Sequence, residues 1–416
     1  MPDKFSCVRE NFNRNRIEYL IVLCCTCCFI GFVASRAMAS IGIIALVVLA
    51  FVSSNPLDVF RKYFKQTQLW VLSFLFVAVL ISGVYSEDQT AWLGWLRIKL
   101  PFLFLPLAFA AFHKISQRAF TLVLYAFVLV LGCSVIPVLA NYYLHYAEIT
   151  ESFARGNTIP MPFSHIRYTL MLAFAFFCCW YLLEKKTVLF HRLERYVQVI
   201  IMGFLFLSLH VLSVRSSLLA LYLGVLFMAL RLLIAQRNWA LGAVLLALVV
   251  LAPYCAYKFV PSLHSKIGYM RYDLQEYLQG RVNQNSDAGR LTSIKVGVEI
   301  WKKNKLLGVG AGDIRIETAK AYEELYPQVP VENRKVPHNE FVWVLAGCGM
   351  VGFVLFLSGF LVPYVVRGYY RQWLMVVLGL IVFSSFFTED TFEEQIGTGF
   401  YVIFLLVLMN HFGADE

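Results

Sequence analysis

Charge is what this sequence has least of. Its 416 residues carry 36 Lys and Arg against 26 Asp and Glu, so only 15% are charged while 59% are apolar. Soluble domains run at about 25% charged and about 45–50% apolar. The shortage excludes a disordered chain, a basic nucleic-acid-binding protein and an ordinary cytosolic enzyme. Three further absences narrow the field. No small-residue cleavage site follows the first apolar run, which sits behind Arg9, Arg14 and Arg16, so it reads as a retained helix rather than a signal peptide. No internal repeat is visible, which leaves the paired broken helices of many transporters without a sequence sign. The one long polar stretch contains no cysteine, so no disulfide framework supports it.

What is present is apolar run after apolar run. Segments of spanning length begin near Ile17, Ala37, Leu69, Ala91, Ala119 and His165, then near Val197, Ser216, Trp239, Asn339, Trp373 and Gly397. In lipid an open chain satisfies its own backbone only as helix. The expected fold is therefore an all-α polytopic membrane protein with about 12 transmembrane helices. Lys and Arg bias orients it. Lys4, Arg9, Arg14, Arg16, Arg61, Lys62, Lys65, Lys114 and Arg118 fall on one side. Lys185, Lys186, Arg192, Arg195, Arg231, Arg237, Arg367 and Arg371 join them, against Arg36, Arg155 and Arg215 opposite. Both termini are expected to be cytoplasmic. CCTCC (Cys24–Cys28) has overlapping C-x-x-C spacings, but no polar ligand accompanies them, and small helix-packing residues are the better reading.

The expected organisation is 1–260 as spans one to nine, 261–337 as a large extracytoplasmic helical loop, and 338–416 as spans ten to twelve. The loop composition supports amphipathic helices around 266–278 and 291–303, a glycine-rich turn, and an irregular run to Pro337.

Charges at the edges of membrane spans are functional candidates by default. Arg215, in SVRSSLLALYLG, joins two spans through almost no loop and runs against the local charge bias; the bland alternative is a snorkelling arginine. Arg290 opens the second loop helix in DAGRLTSIKVGVEIW. Gly308, Gly310 and Gly312 imply a tight turn with close backbone approach, and without a strand–turn–helix unit they are no dinucleotide fingerprint. His338 opens the tenth span, where a helix N-terminus attracts phosphate and disfavours imidazolium; the bland alternative is a capping or interfacial histidine. Arg97 and Lys99, in WLRIKLP, and His165 and Arg167, in SHIRY, either line a donor cleft or only snorkel. TEDTFEE, from Thr388, reads as an acidic face in water more readily than as a divalent-cation site.

In this order, SVRSSLLALYLG, then GR…W…LLGVGAGD in a large loop, then HNEFVWVLAGCGMVGFVLF, the sequence resembles the O-antigen ligase and polymerase superfamily. Those are bacterial inner-membrane glycosyltransferases acting on undecaprenyl-diphosphate-linked glycans. The motifs span roughly residues 209–356, and the earlier spans match in general hydropathy only. The resemblance implies that Arg215 and Arg290 engage the donor diphosphate and that His338 assists the acceptor hydroxyl, with Arg97, Lys99, His165, Arg167 and Asn339 as substrate-binding candidates. It implies no cofactor and no metal. The implied partners are the lipid-linked donor, a lipid A–core or other glycan acceptor, and the bilayer, without nucleic acid. Ligation onto lipid A–core leads, polymerisation of repeat units and protein O-glycosylation are alternatives, and a lipid-linked saccharide flippase is the reading from another class.

Overall fold

The computed structural model describes residues 4–153, 157–189, 191, 193–279 and 286–413, and helix is its only regular structure among them. Arg155 and Arg192, counted in the charge bias, lie outside the described residues. Helix α1 (Lys4–Ala34) turns at Ser35 into α2 (Arg36–Ser53), close enough that Gly31 faces Ala39 and Gly42 faces Cys28. CCTCC lies in that contact, with Cys25 and Cys28 fully buried and all four thiols free. Helix α3 (Pro56–Lys65) stands at 88° to the run formed by α4 (Thr67–Leu72) and α5 (Phe74–Ser82). Next come α6 (Gln89–Lys99), α7 (Pro101–Ala111), α8 (Gln117–Leu144), the short α9 (Tyr146–Ser152) and α10 (His165–Glu184). The pair α11 (Glu194–Leu212) and α12 (Arg215–Ile234) leads to α13 (Trp239–Phe259). The polar section holds α14 (Pro261–Leu278), α15 (Ser286–Lys303) and α16 (Ile314–Leu325). Helices α17 (Glu340–Val365), α18 (Trp373–Ser385) and α19 (Gln395–Phe412) close the chain.

The protein is a polytopic all-α membrane protein. Among the described residues ten helices are long and apolar enough to cross a membrane, or eleven if the bent α3–α5 pair is one span, against the twelve expected. Every expected run is helical, and the difference has two local causes. The third run, Thr67–Ser82, is too short to count alone and meets α3 at 88° across Gln66. The eleventh, α18, is an apolar helix shorter than a span, only 13 residues long. Helices α10 and α19 are innermost, with 89% and 78% of their span windows buried against 17% for α13, whose Val244, Val250 and Leu251 face outward. Such an outward apolar surface suits lipid and would be a liability in water.

Broken helices, without a sign in the sequence, do occur. Gly349, at φ 65° and ψ −167°, interrupts α17, and a break at that depth leaves carbonyls before it and amides after it unpaired. The glycine-rich turn fills the gap. Val309 and Gly310 donate their amides to the carbonyls of Ala346 and Gly347, both at 2.9 Å. Met350 and Val351 donate to Lys305 and Leu306 at 2.9 and 3.1 Å. Gly308, at φ 73°, has no room for a side chain: a Cβ there would lie 2.6 Å from the Gly349 amide nitrogen. The same turn is fastened to the α5–α6 connection. Ser82 and Ser86 accept from the amides of Ala311 and Gly312, and the Asp313 carboxylate accepts from those of Glu87 and Asp88, both at 2.8 Å. The polar section is thus anchored in the bundle. It contains the two expected helices and a third, α16, where an irregular run was expected.

Candidate functional site

Helix α15 organises the site. Its N-terminal amides are capped from α14: the fully buried Asp273 accepts from the backbone N–H of Asp287 and Ala288, at 2.9 and 3.1 Å. Residues 287, 290 and 293 then follow at one-turn spacing and share a face. Asp287 Oδ1 takes Arg215 Nη2 at 2.6 Å. Arg290 Nη2 meets Glu389 Oε1 at 3.0 Å. Ser293 Oγ donates to the Arg290 carbonyl at 2.8 Å and accepts the His338 backbone N–H at 3.2 Å. Three residues far apart in the chain are therefore tied to a single helix face.

Each is delivered by its own local structure. Ser213, left-handed at φ 53°, ends α11, and Arg215 is the first residue of α12, so the turn between them is as short as expected. The Ser213 hydroxyl hydrogen-bonds Ser262 on α14 at 2.8 Å, and Lys266 Nζ donates to the Leu212 and Ser213 carbonyls. Asn339 caps α17 by accepting from the Val342 N–H at 3.0 Å, which leaves His338 just ahead of the helix.

Arg215, Arg290, His338 and His165 line one cleft of about 590 Å³, together with Lys266 and Lys335. Burial pushes the Lys266 ammonium down to about 8, helped by the Arg215 charge, and it lowers Lys335 in the same sense with Arg290 adding to it. So much positive charge with few acids is an anion-receiving surface. Both arginines remain partly open, 36% and 26% exposed at the side chain, and a guanidinium engaged through one nitrogen keeps further donors for a ligand.

Glu389 lies beside His338, just outside the cleft lining. Glu389 Oε1 touches Arg290 and lies 3.9 Å from His338 Nδ1, which has no hydrogen-bond partner. Burial comes first in holding the His338 imidazole below its ordinary value; the Asp390 charge opposes this, and Arg290 assists it. That direction favours the uncharged ring. Glu389 is pushed up to about 7 by burial and by Asp390, against the pull of Arg290 and Arg167. Geometry alone would make Glu389 a plain ion-pair partner; desolvation outweighs the two guanidiniums.

His338, Glu389 and Asp390 offer ligand atoms within 4.8 Å of one another, the spacing of a metal cluster. The donor set fits a cation poorly. Arg290 occupies Glu389 from one side, and Arg167 Nη2 lies 3.3 Å from Asp390 Oδ1. Two fixed positive charges already neutralise these carboxylates.

The TEDTFEE segment is not an acidic face in water. Glu389 is 6% exposed and Glu393 3%, because the segment folds inward over cations from α6 and α10. Lys99 Nζ lies 2.6 Å from Glu393 Oε1 and 2.9 Å from the Phe392 carbonyl, with Glu340 at 3.7 Å. Arg167 donates to the Asp390 carbonyl at 2.6 Å and approaches Glu394 at 3.4 Å. Lys99 and Arg167 thus sit behind the cleft rather than in its lining. Arg97 is exposed on α6 and Asn339 serves as a helix cap, so neither lines it. Sequence reasoning missed Asp273, Asp287, Lys266, Lys335 and Glu389. Local signals existed for two of them: SDAGR, an acidic residue at a helix start, for Asp287, and the acidic run TEDTFEE for Glu389.

Residues 199–357 match the family model described as O-antigen ligase. Over that stretch the chain is similar to O-antigen ligases. That match runs from α11 into α17, so it contains Arg215, Arg290 and His338, while His165, Lys99, Arg167 and the TEDTFEE segment lie outside it. No curated protein matches the chain.

Proposed function

We propose that the protein transfers a glycan from a polyprenyl diphosphate, undecaprenyl diphosphate in bacteria, to an acceptor hydroxyl on lipid A–core. The observation that carries this is the convergence of two arginines and a histidine against one face of α15, within a cleft lined by further cations. Bond breaking leaves negative charge on the departing diphosphate, and catalysis needs positive charge that binds the transition state better than the ground state. Arg215 and Arg290 supply it, since guanidinium forks match phosphate oxygens and stay charged at any working pH. His338 takes the proton of the attacking hydroxyl. The new bond forms at the anomeric carbon as the bond to diphosphate oxygen breaks, with inversion and without a metal. His165 borders the sugar-binding end, while Lys99, Arg167 and Asn339 hold the scaffold behind it.

In this reading the enzyme sits in the bacterial inner membrane with both termini in the cytoplasm and the cleft on the periplasmic side, where charge bias puts it. A flippase would use helix breaks to bind its cargo. At Gly349 those backbone groups are consumed by the 305–310 turn, which favours the enzyme.

Purified protein reconstituted with lipid-linked glycan and acceptor should yield product without nucleotide and in the presence of a chelator. His338→Ala should slow transfer about 100-fold or more. A requirement for nucleotide or metal, or normal transfer by the variant, overturns the mechanism. In cells, a deletion strain that accumulates lipid-linked polymer marks a ligase, and one that accumulates single repeat units marks a polymerase.

A further inference from the structure

Two lining cations of the cleft, Lys266 and Lys335, have no part in the transfer chemistry proposed above. They differ in what holds them. Lys266 Nζ donates to the Leu212 and Ser213 carbonyls at 3.0 and 3.3 Å. Lys335 is half-buried and its side chain makes no hydrogen bond or ion pair among the described residues. Burial and the Arg290 charge both disfavour its ammonium there, and the Glu389 charge offsets them only in part. An ammonium left without a partner in such surroundings is costly.

The chain around Lys335 is fastened on both sides. Arg334 donates from Nε to the Val329 carbonyl at 3.2 Å and from Nη1 to Glu323 on α16 at 3.0 Å. Pro337 packs so closely on α15 that a Cβ at Gly297 would lie 2.5 Å from its ring, and the His338 amide is held by Ser293. The backbone that carries Lys335 is therefore placed by its neighbours, and the ammonium is not spent in placing it. The four cations also fall into two pairs. Lys266 feels the Arg215 charge, and Lys335 feels that of Arg290. Arg215 is tied to α15 at Asp287 and Arg290 leaves α15 three residues later, roughly 4.5 Å along the axis. That is the scale of two phosphates sharing a bridging oxygen.

We infer, taking the donor to be the polyprenyl diphosphate proposed above, that Lys335 is a direct ligand of its diphosphate, closing with Arg290 on one phosphate while Lys266 and Arg215 close on the other. The cleft is then built for two linked phosphates rather than one. A lysine suits the position beside an arginine. Its ammonium is a compact point charge with three donors on a flexible stem, so it reaches a phosphate oxygen without the planar match that a guanidinium needs. The anion in turn supplies the partner that the folded protein does not.

The test uses the full-length protein in detergent and measures binding alone, by isothermal titration calorimetry with geranyl diphosphate and with geranyl phosphate, at an ionic strength where the Debye length is about 8 Å. The wild type should bind the diphosphate roughly tenfold or more tightly than the monophosphate. Lys335→Gln should weaken diphosphate binding about tenfold, the usual worth of one charge-assisted hydrogen bond. It should barely change monophosphate binding, because a single phosphate can settle on the Arg215 pair. Lys335→Arg should keep most of the preference, and Lys320→Gln, the same loss of charge on exposed α16, should leave it intact. An unchanged preference in Lys335→Gln, with Arg290→Ala losing it, overturns the role of Lys335 and leaves the donor standing. Equal weakening of both ligands, or an equal effect of Lys320→Gln, reduces Lys335 to background charge and overturns its role as well. A wild type that binds neither ligand counts against the diphosphate donor itself, and the role of Lys335 falls with it.

Discussion

The cleft and the ion network directly behind it are built from the same residue types and differ in what their cations are free to do. In the network, Lys99 and Arg167 are almost wholly buried, 3% and 5% exposed, and their donors are taken by the 390–392 carbonyls and by Glu340, Glu389, Asp390, Glu393 and Glu394. In the cleft, Arg215 and Arg290 each hold one carboxylate and keep part of the guanidinium exposed. The lesson is that a cation near a membrane edge is assigned by its remaining donors rather than by its position in the chain. Glu389 belongs to both regions, since it meets Arg290 on one side and Arg167 on the other.

That contrast can be broken by mutation. Lys99→Met should cause the largest loss, about 3–5 kcal/mol of stability, because it strands Glu393 and Glu340 as buried carboxylates without their cation. It should appear as a lower thermal midpoint in detergent and poor expression; a variant with wild-type stability would dissolve the distinction between the regions. Arg290→Ala and Arg215→Ala should do the reverse. Transfer should fall about 10²–10³-fold, the usual consequence of removing one donor to developing negative charge, with the melting midpoint close to wild type. Gly308→Ala should cost about 1–3 kcal/mol, since φ 73° is strained for alanine and its Cβ would press on the Gly349 amide. Thermal unfolding is again the measurement, with Gly268→Ala, in open space on α14, as the comparison.

The last test concerns Glu389. Its carboxyl holds a proton up to about 7 in the folded protein against an ordinary value of 4.5. The folded state therefore binds that proton more tightly than the unfolded chain does. The resulting stability is complete below pH 4.5 and is lost as pH rises towards 7. Glu389→Gln should flatten the fall of the thermal midpoint across that window, and an unchanged slope would return the effect to other groups.

Much of this was legible from residue order. The alternation of apolar runs announced the helices, and the glycines at 308–312 announced a close approach of backbone. Arg215, Arg290 and His338 stood out as cations and a base at span edges, and they do meet in one cleft. What brings them together was not legible. Asp287, Ser293 and Asp273 are ordinary residues of amphipathic helices until α14 and α15 are packed. TEDTFEE read as a solvated acidic face because pairing with Lys99, some 290 positions earlier in the chain, has no local signature. The bend at Gln66 and the break at Gly349 escaped notice for a related reason: hydropathy averages over a window, and one residue with unusual backbone angles barely changes the mean.

The stitching of the glycine turn into α17 bears on how the protein can be handled. Residues 305–313 take their hydrogen-bond partners from 346–351 and from 82–88, segments that precede and follow the polar section in the chain. Expressing the polar section alone as a soluble fragment would strip away the backbone that completes its fold. During biosynthesis, too, its final shape must wait until the helices encoded after it have been inserted.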